Sequence, residues 1–231
     1  MIGIYDYTVV LTYLSLLSAG TGIVVSLSGL GHPLLGLFFL LFCGLCDAFD
    51  GKVASTKKSR TDMERKFGIQ IDSLSDLIAF GVLPACIGAA FIRVSYALAS
   101  LNGRGGTWYT VLLKVFVFGM LILYILAALI RLAYFNVTEE ERQETETGAR
   151  KYYLGLPVTS ASIIFPTVAL LQYLIPADLT WIYIVAVVIT GVLFVTPFKL
   201  KKLGLKGILV LVGIGAAEFI ALIIAFVLRH R

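Results

Sequence analysis

Apolar residues run through this chain in long blocks broken by short polar stretches, a pattern unlike strand alternation or the single stripe of a soluble helix. Blocks long enough to cross a bilayer, at roughly 20 residues each, fall at about 8–30, 34–50, 73–100, 108–134, 156–175, 179–196 and 207–228. They predict an all-α integral membrane protein, a polytopic transmembrane helix bundle. Seven spans are read, within about six to eight, because the fifth and sixth are short and joined by IPADLT. No internal repeat or low-complexity linker divides the chain, so residues 1–231 read as one domain.

Composition agrees: 59% of residues are hydrophobic, 14% are charged, and the mean hydropathy is +0.94. A net charge of +5 and a pI near 9.1 could suggest a nucleic-acid partner. The basic residues instead sit in short loops between spans, where they set topology and face anionic lipid, so no nucleic acid is expected. Loop 51–71 carries Lys52, Lys57, Lys58, Arg60, Arg65 and Lys66; the stretches 131–155 and 197–206 carry most of the rest. If the spans alternate, these share one side, which places that side and the N-terminus in the cytoplasm of a cell membrane. The start of the chain lacks a basic n-region and a small-residue cleavage site, so the first span is expected to stay as an anchor. Its Ser, Thr and Gly residues suit close helix packing. Cys43 and Cys46 form a C-x-x-C, but no second pair or nearby His accompanies them, and buried packing is expected of them and of Cys86.

The chemistry concentrates in CDAFDGKVASTKKSRTDMERKFGIQIDSLSDLIAF, from Cys46 to Phe80. On a helix, Asp47, Asp50, Gly51 and Ala54 share one face, and Gly68, Asp72, Asp76 and Ala79 share one face of the next. Acidic residues at helix ends can simply mark a solvated loop. Here they share a face with Gly and Ala instead of lying opposite an apolar stripe, and charge near lipid is costly. Four carboxylates at close quarters repel unless cations neutralise them, and hard oxygen donors suit Mg²⁺ or Mn²⁺. A cation transporter could use intramembrane carboxylates too, but that reading predicts acids near mid-bilayer and related halves.

The order Asp47-x-x-Asp50-Gly51-x-x-Ala54, then Gly68-x-x-x-Asp72-x-x-x-Asp76, resembles the signature of the CDP-alcohol phosphatidyltransferases. FGIQIDSLSDLIAFGVLPA, and IRLAYFN followed by LGLPVTSA, are similar to stretches of its serine branch, the bacterial phosphatidylserine synthases. The chain also lacks the NxPNxxTxxR opening of glycerophosphate-using relatives. The resemblance implies transfer of a phosphatidyl group from CDP-diacylglycerol to L-serine, giving phosphatidylserine and CMP. It implies two divalent cations held by Asp47, Asp50, Asp72 and Asp76, with Asp76 also taking the proton of the incoming hydroxyl. Gly51, Ala54 and Gly68 would let cytidine and phosphates lie against the backbone, and a homodimer is implied. Glycerol 3-phosphate, inositol phosphate or another amino alcohol remain alternative acceptors.

Two features depart from the family pattern. Ser55 stands where the family has an Arg that helps bind the diphosphate, and Lys52, Lys57, Lys58 or Arg60 could supply that charge. The spacing from Ser55 to Gly68 is longer by about four residues, read as ERKF at 64–67, which is about one helical turn and could extend the third helix without rotating its aspartate face. Thr61 would keep the family's hydroxyl contact to the diphosphate. The linker 55–67 itself reads as basic and mobile. Arg131 and Asn136 are the expected acceptor contacts, Arg131 suiting either a structural carboxylate or that of serine. Thr12 is a minor substrate candidate, EEERQETE reads as a solvated loop, and Glu218 is expected to pair with a polar group on a neighbouring helix or a second subunit, with no catalytic role.

Overall fold

The computed structural model describes residues 3–29, 33–95, 108–145, 152–174, 178, 180–201 and 204–229. Asp6 caps a short 3-10 turn, Tyr7–Val9, by accepting from the Thr8 amide at 2.9 Å, and α1 (Val10–Ser28) follows and ends at the left-handed Gly29. Helix α2 (Leu34–Thr56) packs along α1. Small residues make the approach close, as read from the sequence: a Cβ on Gly22 would stand 2.9 Å from the Phe39 Cβ. Helix α3 (Asp62–Asp76) leads through a π-helical turn, Leu77–Val82, into α4 (Leu83–Val94). Then come α5 (Trp108–Thr145), strand β1 (Tyr152–Leu154), α6 (Ala161–Leu174), α7 (Thr180–Val195), strand β2 (Lys199–Lys201) and α8 (Leu205–Arg229).

This is an all-α polytopic membrane bundle in which, among the described residues, seven helical segments occupy the places of the seven apolar blocks, α3 and α4 running together as one. Among the described residues, five stretches are long and apolar enough to cross a membrane: Tyr7–Ser28, Leu34–Thr56, Asp62–Val94, Trp108–Arg142 and Gly207–Ile224. The apolar parts of the other two, Val158–Leu171 and Thr180–Val195, are shorter. At 1.5 Å per residue they extend about 20–25 Å, against a hydrocarbon core of roughly 30 Å. Along α5, Val111, Leu112, Val115, Phe116, Ile122 and Leu123 are exposed, as a lipid-facing surface requires. Leu37, Leu40, Phe80, Leu83, Tyr124, Phe165 and Phe194 fill the interior.

Three local expectations are corrected. Residues 62–67 are not a mobile linker but the first turns of α3, the extension that the added turn at 64–67 allowed, because Thr61 and Glu64 form a reciprocal capping box: the Glu64 amide donates to Thr61 Oγ1 at 3.2 Å, and the Thr61 amide donates to Glu64 Oε2 at 2.8 Å. The acidic segment after the fourth block is not a loop through Thr145; α5 continues there, and Arg142 pairs with Glu139 at 2.6 Å, one turn away. Two short strands, absent from the sequence reading, pair antiparallel, with Tyr152 opposite Lys201, Tyr153 opposite Leu200 and Leu154 opposite Lys199. Gly155 closes the ribbon: its amide donates to the Phe198 carbonyl at 2.7 Å with φ at 79°. A Cβ there would also stand 3.1 Å from the Thr196 carbonyl oxygen, so glycine answers both demands.

The π-helical turn has an identifiable cause. Pro84 has no N–H, so the carbonyl of Phe80, four residues earlier, loses its helical donor. The Leu83 amide reaches back five residues to Ile78, and the buried Tyr124 hydroxyl of α5 donates to the Phe80 carbonyl at 2.6 Å. The helix is thereby widened directly after Asp76 and tied to α5.

Candidate active site

Helix α2 presents Asp47 and Asp50, and α3 presents Asp72 and Asp76, as the two shared faces predict. Asp50 and Asp72 are hydrogen-bonded to each other across the helix pair, and Asp47, Asp50 and Asp72 all lie within electrostatic reach of Asp76. Asp76 is the deepest, 9% exposed, at the junction of α3 and the π-helical turn. Asp50 Oδ1 also accepts from the Gly51 amide at 2.5 Å. Ionised carboxylates this near repel unless a proton or cation lies between them. The all-oxygen donor set therefore fits a hard divalent cation. Among the described residues, however, no three acidic, His or Cys side chains close on a single ligand point, so the cage expected from the sequence is incomplete in this arrangement.

The small residues differ in their surroundings. Gly51 faces open space, with nothing within 4 Å of where a Cβ would stand. Gly68 is covered by Arg60, whose Nη2 lies 2.7 Å from the Cβ position. Ala54 is half-buried, and the exposed Ser55 donates to the Lys52 carbonyl at 2.7 Å. Thr61 accepts the capping bond of α3, which leaves its hydroxyl proton to donate elsewhere. Thr12 is buried, and its carbonyl accepts from the Ser75 hydroxyl at 3.2 Å.

The two acceptor candidates lie on α5 and are engaged. Arg131 is buried, donates from Nε to the Leu156 carbonyl at 3.1 Å, and stacks over Phe135 at 5.6 Å. Asn136 donates to the Ser73 hydroxyl at 2.8 Å, which holds it beside Asp72. Glu218 accepts from the Thr167 hydroxyl of α6, the neighbouring-helix pairing expected of it. Cys43 and Cys46 are buried, the Cys43 thiol donating to the Ser15 carbonyl at 3.3 Å.

Two features of the site were not foreseen. Lys57 reaches Asp6 at 2.7 Å and Glu64 at 2.8 Å, fastening the start of the chain, the end of α2 and the start of α3. The Lys57 ammonium, helped by Thr8, pulls the Asp6 carboxyl down to about 2, and Asp6 and then Glu64 raise Lys57 in return. A cavity of about 1110 Å³ also opens between α2, α6, α8 and the ribbon. Asp47 stands on its wall, Phe42, Leu45, Ile163 and Phe219 supply apolar surface, and Tyr153 and Lys201 come from the ribbon. The Asp6 contact had a signal in an acid just before the first apolar block. The cavity had none, because its walls come from segments far apart in the chain.

Residues 8–196 match the family described as CDP-alcohol phosphatidyltransferase. The chain belongs to that family. Its relatives include the CDP-diacylglycerol–serine O-phosphatidyltransferase of Saccharomyces cerevisiae, 34% identical over 135 residues, covering 58% of this chain and 41% of the yeast protein. The Helicobacter pylori protein of the same name is 31% identical over 170 residues, covering 70% of this chain and 60% of its own. An archaetidylserine synthase of Methanothermobacter thermautotrophicus is 32% identical over 152 residues, covering 65% of this chain and 53% of its own. The matches span 41% to 60% of the lengths of these three relatives. No solved structure matches the chain. The family match takes in both aspartate pairs, Arg131, Asn136 and the Gly155 turn, while α8 lies beyond it.

Proposed function

We propose that this CDP-alcohol phosphatidyltransferase family member transfers the phosphatidyl group of CDP-diacylglycerol to L-serine, giving phosphatidylserine and CMP. The observation that carries the reading is the meeting of Asp47 and Asp50 on α2 with Asp72 and Asp76 on α3 beside the open Gly51. Serine as acceptor is supported by the relatives that are CDP-diacylglycerol–serine O-phosphatidyltransferases and by the similarity of the IRLAYFN and LGLPVTSA segments.

In the proposed reaction, the serine hydroxyl attacks the phosphorus that carries diacylglycerol. Its proton passes to the Asp76 carboxylate, the new P–O bond forms, and the P–O bond to CMP breaks. Asp47, Asp50, Asp72 and Asp76 would hold Mg²⁺ or Mn²⁺, which when bound supplies positive charge for the diphosphate and the leaving CMP. Arg131 and Asn136 would orient the serine carboxylate and amine-bearing carbon, Arg131 by charge-assisted hydrogen bonds. The cavity beside Asp47 offers apolar surface for the acyl chains. The excess of Lys and Arg in loop 51–71 supports a cytoplasmic site, where nucleotide-activated lipid headgroups are presented. A homodimer belongs to the same proposal.

The test is CMP release from CDP-diacylglycerol by purified protein with Mg²⁺ or Mn²⁺. Acceptors are L-serine, glycerol 3-phosphate, inositol phosphate and ethanolamine, with Asp76→Asn as control. Release that requires serine, stops with EDTA and is absent in the control is the expected result. Release with a different alcohol overturns the acceptor. Folded protein inactive with every alcohol overturns the chemistry and favours cation transport.

A further inference from the structure

We propose that Arg60 is the diphosphate-binding cation of this site, an inference that rests on the phosphatidyl-transfer reading above. Arg60 immediately precedes the Thr61 cap of α3, and its side chain folds back along the first turns of that helix. Its Nη2 contacts the Glu64 carbonyl at a long 3.4 Å and lies against Gly68. Gly68 is one turn before Asp72 on the same face, so the guanidinium stands about 6 Å along the helix from the aspartate cluster. Arg60 Nε is buried and has no hydrogen-bond partner among the described residues. A desolvated guanidinium donor without an acceptor is costly, and an oxyanion approaching the cluster would remove that cost.

Lys52, Lys57 and Arg65 are engaged elsewhere, and Lys58 and Lys66 are solvent-exposed, where a charge contributes less than one desolvated beside the cluster. Lys57 is held by two carboxylates, Asp6 and Glu64. Lys52 lies over the Phe49 ring at 5.5 Å, and the exposed Arg65 pairs with Asp62 at 3.5 Å. Ser55 brings no charge and turns its hydroxyl to its own helix. Arg60, by contrast, makes no ion pair with a described carboxylate, and its planar fork matches two phosphate oxygens at once. Gly68 has a matching role. Any Cβ there would push against Nη2, so glycine is what lets the arm lie flat beside the site. The bland alternative is that Arg60 merely fills space over Gly68, and Arg60→Met separates the two by keeping the bulk without the donors.

The experiment compares wild type, Arg60→Met and Arg60→Lys in lipid nanodiscs. It measures the Kd for CDP-diacylglycerol, the KM for each substrate, thermal stability, and inhibition by CDP and by cytidine. Loss of a charge-assisted contact predicts a Kd and KM for CDP-diacylglycerol raised roughly 10- to 100-fold in Arg60→Met, with the KM for serine unchanged. Inhibition by CDP should weaken in parallel while that by cytidine does not. Arg60→Lys, which keeps charge but not the fork, should fall between and covers the case of a misfolded Met variant. Unchanged CDP-diacylglycerol affinity in a folded variant overturns the assignment, as does equal weakening of CDP and cytidine. Wild-type protein that binds CDP-diacylglycerol but releases no CMP with any alcohol overturns the transfer reading and leaves the Arg60 comparison intact.

Discussion

Tyr124→Phe should destabilise the bundle by an amount set by Pro84. The substitution removes one oxygen and leaves the ring between Phe165 and Phe194, at centroid distances of 5.7 and 5.5 Å. What it removes is the donor to the Phe80 carbonyl at 2.6 Å. Orphaning a buried acceptor costs about 1–3 kcal/mol in soluble proteins. Hydrogen bonds between membrane helices average nearer 0.6 kcal/mol, with a maximum of about 1.7, because alternative partners are found. Here the usual alternative, the amide four residues on, is Pro84 and cannot donate. The cost should therefore sit at the upper membrane value, about 1.5 kcal/mol or roughly tenfold in the unfolding equilibrium. The assay is reversible unfolding by SDS titration in mixed micelles, run as a cycle with Pro84→Ala. With an amide restored at position 84, Phe80 regains a donor, and the Tyr124→Phe penalty should drop to a few tenths of a kcal/mol. An equal penalty in both backgrounds would refute the link between the proline, the widened turn and the tyrosine.

Three further outcomes are expected. The Asp6 carboxyl titrates near 2 when folded, against an ordinary 3.8, so its pairing with Lys57 contributes above about pH 4 and is lost as pH falls through 2. Melting temperatures of wild type and Asp6→Asn should differ at pH 6 and converge toward pH 2, and curves parallel over that range would contradict the pairing. Gly44→Ala should destabilise by about 1–3 kcal/mol, because its Cβ would press on Ser162 of α6. Ser162→Gly in the same chain should recover most of that loss in a thermal melt. Arg131→Lys should raise the KM for serine at least several-fold while sparing that for CDP-diacylglycerol, measured by CMP release, and the reverse split would remove Arg131 from the acceptor side.

The parts of the fold that were legible follow from strong local physics. The aspartate faces could be read because 3.6-residue periodicity alone decides which of Asp47, Asp50, Asp72 and Asp76 point together. The start of α3 was legible too, since Thr61 and Glu64 stand at capping-box spacing, but the density of Lys and Arg around them favoured a loop reading. Likewise the acids after Asn136 suggested solvent, although Glu139 and Arg142 at helical spacing extend α5. The ribbon was beyond reach, because three-residue strands carry no periodicity and their pairing depends on where α5 and α7 end. The ion pairs of Lys57 and the placement of Arg60 over Gly68 depend on rotamers that sequence spacing does not encode.

The ribbon also constrains how the protein is made. Its strands are separated in the chain by α6 and α7, so β1 leaves the ribosome long before β2 exists. The aspartate-bearing α2 and α3 can therefore be inserted and meet while this closure is still missing. Only when α7 has been made can Lys199–Lys201 clip onto Tyr152–Leu154 and complete the cavity wall beside Asp47. A nascent chain stalled before β2 would carry all four clustered aspartates and still lack the finished cavity wall beside Asp47.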